Sequence, residues 1–317
     1  MASPEIATSA IIGLVHASFM KNLPRVAIAG VTGFIGSGLP ALLAREGYQV
    51  TGISRHPQPP APAIPSWQTF EKLDLSGHHS VINLCGESID RRWTPQNREK
   101  FHESRIGSTR KIIRHIASLP ADLRPKTLIN ASAVGIYGNR GDEWLDEASP
   151  HGNGYLADLC AEWEAATSEA RDLGLRVVLP RIGIVLGRDG SAFRKLVTVF
   201  RAGIGGRLGS GRQWMPWIHV DDMRGSLVYA VMNESLHGPY NATAPHPETN
   251  RDFTRKLARA LHRPALFPVP GFALRIVLGE FATALLAGQR TRPRVLERAG
   301  YGFRFPHLED ALSDLMA

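Results

Sequence analysis

The chain has 317 residues, of which 43% are hydrophobic and 21% are charged. This composition is typical of a folded globular protein and excludes an intrinsically disordered chain. The formal charge is +8, but the basic residues are scattered along the chain. We therefore expect a small, anionic ligand and no nucleic-acid partner.

Cysteine usage and hydropathy narrow the class of protein further. The two cysteines, Cys85 and Cys160, lie far apart and have no metal-binding spacing. No apolar run approaches the roughly 20 residues that cross a bilayer. An apolar run at 11–15 lacks the preceding Lys or Arg of a secretory signal. We expect a cytoplasmic protein with no metal site and no membrane contact, and a disordered extension at 1–22.

From residue 25 onward, strand and helix patterns alternate, which predicts a parallel sheet with crossover helices. The predicted strands are 25–29, 48–53, 67–70, 80–84, 127–131 and 176–179. The predicted helices are 34–44, 95–118, 155–172 and 191–202, and the chain is mostly helical after 249. We therefore predict an α/β fold: a Rossmann-type doubly wound parallel sheet over 23–190, to which 213–245 contribute, and a smaller, mostly helical C-terminal substrate domain over 191–317.

A glycine-rich loop joins the first predicted strand to the first predicted helix. Gly30 allows a tight turn, Gly33 allows backbone N–H groups to approach a pyrophosphate, and Gly36 allows the helix to pack closely. Unpaired N–H groups at a helix N-terminus favour the negative charge of such a ligand. The loop therefore predicts a dinucleotide site, with a glycine-rich turn that binds no ligand as the alternative.

The end of the second predicted strand indicates which dinucleotide binds. An NAD site would have a carboxylate near this point to hold the ribose 2′-hydroxyl. This chain has Ser54 and Arg55 there instead, a hydroxyl and a guanidinium that suit a 2′-phosphate. We therefore favour NADP over NAD, with an ordinary surface arginine as the alternative.

Several further segments together identify a family. They are Asn83-Leu84-Cys85-Gly86-Glu87, Arg92-Trp93, Ser104-Arg105, the run ASAVGIYG at 131–138, Trp163-Glu164 and the run GSGRQWMPWIHVDD at 209–222. With the glycine loop, they make the chain resemble the extended short-chain dehydrogenase/reductases. Within these it is similar to the atypical "epimerase family" group, which is related to NAD-dependent nucleotide-sugar epimerases and has its own C-terminal domain.

The resemblance implies a set of cofactor-binding residues. Asp74 and Leu75 match the pair that flanks the adenine, residues 83–86 match the turn that supports the middle of the cofactor, and Pro180-Arg181 lie where the nicotinamide amide would be. A loop carboxylate near a helix start is the alternative for Asp74. The expected cofactor-binding residues are Gly30, Thr32, Gly33, Phe34, Ile35, Gly36, Ser54, Arg55, Asp74, Leu75, Asn83, Leu84, Cys85, Gly86, Arg105, Pro180 and Arg181.

The catalytic residues depart from the family pattern. The resemblance implies a Tyr, a Lys four residues later and a Ser or Thr from the preceding strand end. Here Tyr155 matches the Tyr, but Leu159 occupies the Lys place, and Ser132 lies one residue from the hydroxyl position, where Ala133 stands. Without the Lys, a Tyr has a pKa near 10 and could act as a neutral proton donor. Aromatic packing at a helix start is the alternative.

Other polar residues are candidates for the substrate region. Glu87 is an acid or base candidate, with an ion pair to a nearby arginine as the alternative. Tyr137 is expected to form a wall of the site, and Arg212 and Trp214 to clamp and stack a substrate. For His219 we expect a structural hydrogen bond rather than catalysis.

These residues predict an NADP-dependent oxidoreductase or epimerase that acts on a small carbonyl or nucleotide-sugar-like substrate. A non-catalytic NADP(H)-binding sensor or interaction protein is the alternative, because Leu159 replaces the Lys. A sugar-nucleotide dehydratase fits less well. By analogy with relatives, a homodimer would form through the helices at 95–118 and 155–172.

Overall fold

The computed structural model describes residues 23–265 and 267–317, so the extension expected at 1–22 lies outside the described residues. The strands are β1 (Arg25–Ala29), β2 (Gln49–Ile53), β3 (Ser66–Gln68), β4 (Ser80–Asn83), β5 (Thr127–Asn130), β6 (Ser132–Ala133), β7 (Trp144–Leu145), β8 (Arg176–Ile182), β9 (Ile184–Leu186), β10 (Trp214–Met215), β11 (Trp217–His219), β12 (Gly238–Ala242), β13 (Glu248–Thr249) and β14 (Arg290–Thr291). The helices are α1 (Leu39–Arg45), α2 (Pro95–His102), α3 (Ser108–Ser118), α4 (Tyr155–Ala165), α5 (Ser168–Asp172), α6 (Ser191–Arg201), α7 (Val220–Met232), α8 (Asn250–Ala260), α9 (Gly271–Leu278), α10 (Phe281–Leu286), α11 (Arg294–Arg298) and α12 (Leu308–Met316). No helix in this part of the chain is both long enough and apolar enough to cross a membrane.

The main sheet is parallel and has the strand order β12-β8-β5-β4-β1-β2-β3, with β6 beside β8. The chain runs outward from β1 to β3 and then returns to form β4 on the other side of β1. This reversal makes a crevice at the carboxyl ends of β1 and β4, which is where open α/β sheets bind ligands. The predicted doubly wound Rossmann-type sheet is therefore confirmed.

Each face of the sheet is covered by helices. On one face, Leu39 and Leu43 of α1 and Leu227 of α7 pack on the strands. On the other face, Ile112 and Ile116 of α3 are fully buried. Burial of such side chains contributes about 1.5–3 kcal/mol each. The sheet therefore gives a rigid base to the crevice at its carboxyl edge.

The C-terminal region is mostly helical, as predicted. Phe200 of α6, Phe253 of α8 and Leu312 of α12 form a separate core. Asp222 at the start of α7 fastens this region to the sheet, since its carboxylate accepts the backbone N–H groups of Arg304 and Phe305 at 2.8 Å each. The domain boundary near residue 190 stays a prediction.

Three predicted helices have different bounds in the structure. The helix expected at 34–44 begins with a 3₁₀ turn, Gly36–Gly38, because this Gly-Ser-Gly segment has low helix propensity. The helix expected at 95–118 starts as predicted, with Thr94 Oγ1 accepting the Asn97 N–H at 3.3 Å, but a π-helical turn, Glu103–Gly107, separates α2 from α3. The helix expected at 155–172 is divided into α4 and α5.

A buried ion pair joins α4 to the sheet. The guanidinium of Arg181, in β8, donates to both carboxylate oxygens of Glu164, near the end of α4, at 2.8 and 2.9 Å. Ser132 Oγ donates to the same carboxylate at 2.7 Å. Arg181 also donates to Tyr137 Oη at 3.0 Å, and Tyr137 Oη donates to Asn241 Oδ1 at 2.7 Å. The network therefore connects α4, β6, β8 and β12.

Replacement of Glu164 by Ala should destabilise the protein strongly. Removing one partner of a buried ion pair leaves an uncompensated charge, which costs about 3–5 kcal/mol. Glu162→Ala on the same helix is the matched control, since the Glu162 side chain is half exposed and pairs with His102 at the surface; it should change the free energy of unfolding by under about 1 kcal/mol. Urea denaturation measures the free energy of unfolding of both variants. Equal losses in the two would show that the buried ion pair stabilises the fold no more than the surface pair does.

Candidate active site

A cleft of about 830 Å³ opens at the carboxyl ends of the central strands. The glycine-loop wall is formed by Gly30, Gly33, Phe34, Ile35, Gly36, Leu84, Cys85 and Gly86. The C-terminal wall is formed by Leu208, Trp214, Met215, Asn250, Glu280, Thr283, Ala284, Leu285, Ala287 and Gln289. Side chains from α2, α4 and the π-helical turn complete the lining, among them Arg98, Arg105 and Tyr155.

The glycine loop has the tight geometry that the sequence predicts. Gly30 has φ +81°, and a Cβ there would lie 3.0 Å from the backbone of Leu84. A Cβ on Gly36 would lie only 2.3 Å from the Gly30 carbonyl oxygen. Side chains at both positions would push the loop away from β1 and β4. The loop is therefore built for close approach of backbone to backbone.

Arg224 of α7 supports this loop and was missed by the sequence analysis. Its guanidinium donates to the carbonyl oxygens of Phe34 at 2.6 Å and Ile35 at 3.1 Å. These contacts span about 190 residues of sequence, and no local pattern signals them. Arg224 therefore fixes the direction of the loop from the C-terminal half of the chain.

Asn83 lies under the loop rather than in the cleft. Its side chain is fully buried, its Oδ1 accepts the Cys85 N–H at 3.2 Å, and its Nδ2 donates to Asn130 Oδ1 at 2.8 Å. It therefore shapes the turn at 84–86, whose three residues do line the cleft. Burial raises the pKa of the Cys85 thiol to about 11, with the Arg55 charge opposing the rise, so this thiol is inert at neutral pH.

Five of the predicted cofactor-binding residues lie outside the cleft lining. One is in the glycine loop, and the others follow β2 and β3. Thr32 and Arg55 are exposed, and the Ser54 hydroxyl accepts the His56 N–H at 3.2 Å. The Asp74 carboxylate accepts both the hydroxyl and the N–H of Ser76, and these hydrogen bonds lower its pKa. Leu75 is fully buried in the core against α3, and the assignment of Asp74 and Leu75 to the adenine stays a prediction.

Pro180 and Arg181 do not line the cleft, contrary to the prediction. Strand β8 continues to Ile182, three residues further than expected, and both residues are buried inside it. Arg181 is held by Glu164. The segment from Ile182 to Ile184 takes their expected place in the cleft lining.

Tyr137 is not a wall of the site either. It is fully buried, and burial raises its pKa to about 12, against the effect of Arg181. Its hydroxyl is held between Arg181 and Asn241. Ser132 does line the cleft, but its proton is donated to Glu164. The expected catalytic hydroxyl is therefore engaged in the buried network.

Tyr155 is the predicted catalytic residue that the structure places in the cleft with a free hydroxyl. It is the first residue of α4, and its buried Oη has no hydrogen-bond partner among the described residues. The Arg98 guanidinium lies 4.2 Å from the centre of its ring, and the Trp93 ring lies 5.1 Å away. Burial raises the pKa of the phenol, while the charges of Arg98 and Arg105 oppose the rise.

At the position where the family pattern has a lysine, this chain has a leucine that packs in an apolar cluster. Leu159 lies one turn after Tyr155 and is buried among Trp93, Phe101 and Trp163. Cations reach the phenol from elsewhere. Arg98 comes from α2, and Arg105, which donates to the Glu87 carbonyl at 3.0 Å, comes from the π-helical turn. The sequence around Tyr155 does not indicate that either arginine lies near its side chain.

The remaining candidates divide between the cleft and the surface. Glu87 pairs with Arg91 at 3.4 Å, as the alternative interpretation had it, and Arg212 is exposed; neither lines the cleft. Trp214 does line it and donates to Asp142 at 2.8 Å. His219 Nδ1 accepts the Asp221 N–H at 3.1 Å at the start of α7, so it is a helix cap, as expected.

Comparison with known proteins agrees with this architecture. The family model described as the NAD dependent epimerase/dehydratase family matches residues 26–243, and a domain of unknown function, DUF1731, matches 269–315. An epimerase family protein of Mycobacterium bovis is 42% identical over 90% of this chain and 96% of its own length. The chloroplastic SDR39U1 homolog of Arabidopsis thaliana is 38% identical over 92% of this chain and 86% of its own length.

Solved structures give the same result. The crystal structure of human epimerase family protein SDR39U1 (isoform 2) with NADPH is 35% identical, has a TM-score of 0.85, and is covered over 99% of its length and 92% of this chain. A UDP-N-acetylglucosamine 4-epimerase from Bacillus cereus, only 14% identical, shares the fold with a TM-score of 0.71 over 98% of its length and 92% of this chain. The chain belongs to the NAD-dependent epimerase/dehydratase family of NAD(P)-dependent enzymes and carries the C-terminal domain of the "epimerase family" proteins.

Proposed function

We propose that this chain is an NADP-dependent oxidoreductase or epimerase that acts at a carbonyl or alcohol carbon of a small substrate. One observation carries the proposal: the cleft bounded by the glycine loop is also lined by Tyr155, whose buried hydroxyl has no partner among the described residues. A buried hydroxyl without a partner is costly unless a ligand completes it. The NADPH in the human relative's structure is consistent with this assignment.

The cleft suits a dinucleotide on grounds of shape. Gly30 and Gly36 have no space for a side chain, and both line the cleft together with Gly33 and residues 84–86. Backbone in such a loop can approach a pyrophosphate closely. Arg55 follows β2 at the protein surface, close enough for its charge to affect Cys85 in the cleft lining. This position suits recognition of a ribose 2′-phosphate.

Tyr155 supplies the proton in the proposed reduction. NADPH, when bound, supplies a hydride to the carbonyl carbon and becomes NADP⁺. The Tyr155 hydroxyl donates its proton to the carbonyl oxygen, and solvent returns a proton to the phenolate. Because burial raises its pKa, the phenol stays protonated at neutral pH and is suited to act as an acid. Arg98 and Arg105 stabilise the phenolate that forms, a role that the lysine has in the family pattern.

Leu159 favours a second candidate, binding of NADP(H) without turnover. A lysine at this place would also contact the nicotinamide ribose, and a leucine in an apolar cluster cannot do so. In that case the protein would sense or report the reduced cofactor. The test of Tyr155 separates the two candidates, because only the first requires proton transfer.

The substitution Tyr155→Phe should lower kcat for carbonyl reduction by about 10²–10⁴-fold, because it removes the proton donor. The affinity for NADPH should stay unchanged. Tyr48→Phe is the matched control, since Tyr48 packs beside His79 and does not line the cleft. In the unsubstituted enzyme, the reduction rate should be constant through neutral pH and fall as pH rises through the raised phenol pKa. Activity that survives in Tyr155→Phe would refute this assignment.

The substitution Arg55→Ala should weaken NADPH binding by about ten- to a hundredfold and leave NADH binding unchanged. A hydrogen bond to a charged group contributes about 1.5–3 kcal/mol, and 1.4 kcal/mol is a factor of ten in affinity. Arg45→Ala, which removes an exposed arginine of α1, is the control for net charge. Cofactor titration followed by fluorescence measures the affinity of each protein for NADPH and for NADH. Equal affinities for the two cofactors in the unsubstituted protein would contradict the choice of NADP.

A further inference from the structure

We propose that the substrate is an apolar carbonyl compound, an aliphatic or aromatic ketone or aldehyde, and not a nucleotide sugar. This inference rests on the proposed function, since it concerns the same cleft. The observations that support it come from a different part of that cleft. That part is the C-terminal wall together with the side chains around Tyr155.

The surface beyond Tyr155 is predominantly apolar. It includes Trp93, Leu156, Trp214, Met215, Ala284 and Leu285. These side chains come from the loop before α2 and from α4, β10 and α10, so the apolar character is assembled from four separate segments. A hydrophobic pocket with one well-placed polar group is the common form of a site for a small apolar ligand.

Three polar side chains of this region already have partners within the protein. Asn139 Oδ1 accepts the Gly288 N–H at 2.9 Å, and Gln289 Nε2 donates to the Gly138 carbonyl at 2.8 Å. Asn250 Oδ1 accepts the Leu208 N–H at 2.7 Å. The Gln289 N–H is also used, in a bond to the Trp214 carbonyl at 3.2 Å. They therefore hold the wall together, and Tyr155 Oη remains as the buried hydroxyl without a partner.

The charges of the C-terminal wall and around Tyr155 do not suit the diphosphate of a nucleotide-sugar substrate. Among the described residues that line it, the cations are Arg98 and Arg105. Arg98 forms an ion pair with Glu280, and Arg105 donates to the Phe101 and Glu87 carbonyls and lies beside Gly86 of the glycine-loop wall. Glu280 adds a negative charge to the C-terminal wall. A nucleotide diphosphate there would lie beside this carboxylate, and both cations of the lining already have partners, which is unfavourable.

Affinity should therefore increase with apolar surface. One buried methylene contributes enough to change affinity about fourfold. The test uses straight-chain 2-ketones from butanone to decanone, and UDP-glucose and UDP-galactose as the nucleotide sugars. Calorimetry measures their binding to the NADP⁺-loaded protein, in which ketones cannot react, and absorbance of the reduced cofactor measures turnover. We expect the ketone affinity to rise about fourfold per methylene until the cleft is full, and no binding of either UDP-sugar.

The variant Leu285→Arg adds a cation to the C-terminal wall. It should weaken binding of the longest ketone at least tenfold and leave NADPH binding unchanged, whereas Leu285→Met should have little effect. Retained NADPH affinity shows that the variant is folded; if it is not folded, the ketone series in the unsubstituted protein decides alone.

The outcomes distinguish this inference from the proposed function. Binding or turnover of a UDP-sugar, or a ketone affinity that does not depend on chain length, would overturn the inference. Turnover of a UDP-sugar would overturn the apolar-substrate inference but support the proposed oxidoreductase or epimerase activity. Ketones that bind with the expected dependence on chain length but never oxidise NADPH support the apolar site and count against catalysis.

Discussion

The ion pair between Glu164 and Arg181 is the interaction on which the geometry of the cleft depends. It lies near the end of α4, and the same helix begins at the cleft with Tyr155. Because a helix is a rigid rod, fastening one end to β8 also sets the position of the phenol at the other end. The cost of burying two charges is offset by the hydrogen bonds that Ser132 and Tyr137 add. Ser132, which was predicted to be catalytic, therefore helps to hold Tyr155 in place.

The parts of the fold that local sequence determines were predictable. Gly30 is needed for its positive φ, and Gly36 because a Cβ there would meet the carbonyl oxygen of Gly30; both needs arise within the loop and are visible as glycine spacing. Thr94 caps α2 through a bond that spans three residues. The order of strands and helices followed from hydrophobic periodicity, and with it the edge of the sheet where a ligand would bind.

The parts that depend on distant contacts were not predictable from one sequence. Arg224 reaches the glycine loop from about 190 residues away, and Arg98 meets Tyr155 across two helices. Arg181 looked like a cofactor contact because the length of β8 is decided by its neighbours in the sheet, with which it pairs as far as Ile182. The motif around Tyr155 showed that a lysine was absent. The packing of helices showed which cations lie there instead.

The π-helical turn at Glu103–Gly107 makes the geometry of the site sensitive to the loss of a single residue in this segment. A π turn contains one residue more than the α turn it replaces, and each residue of an α-helix advances the direction of a side chain by about 100°. Loss of a single residue here would restore a continuous helix from α2 to α3 and rotate one part of it relative to the other. Arg105, which lies within this turn, would then change its direction relative to α2 or to α3. A one-residue gap at this point in a relative would therefore change the charge that the turn presents to the cleft.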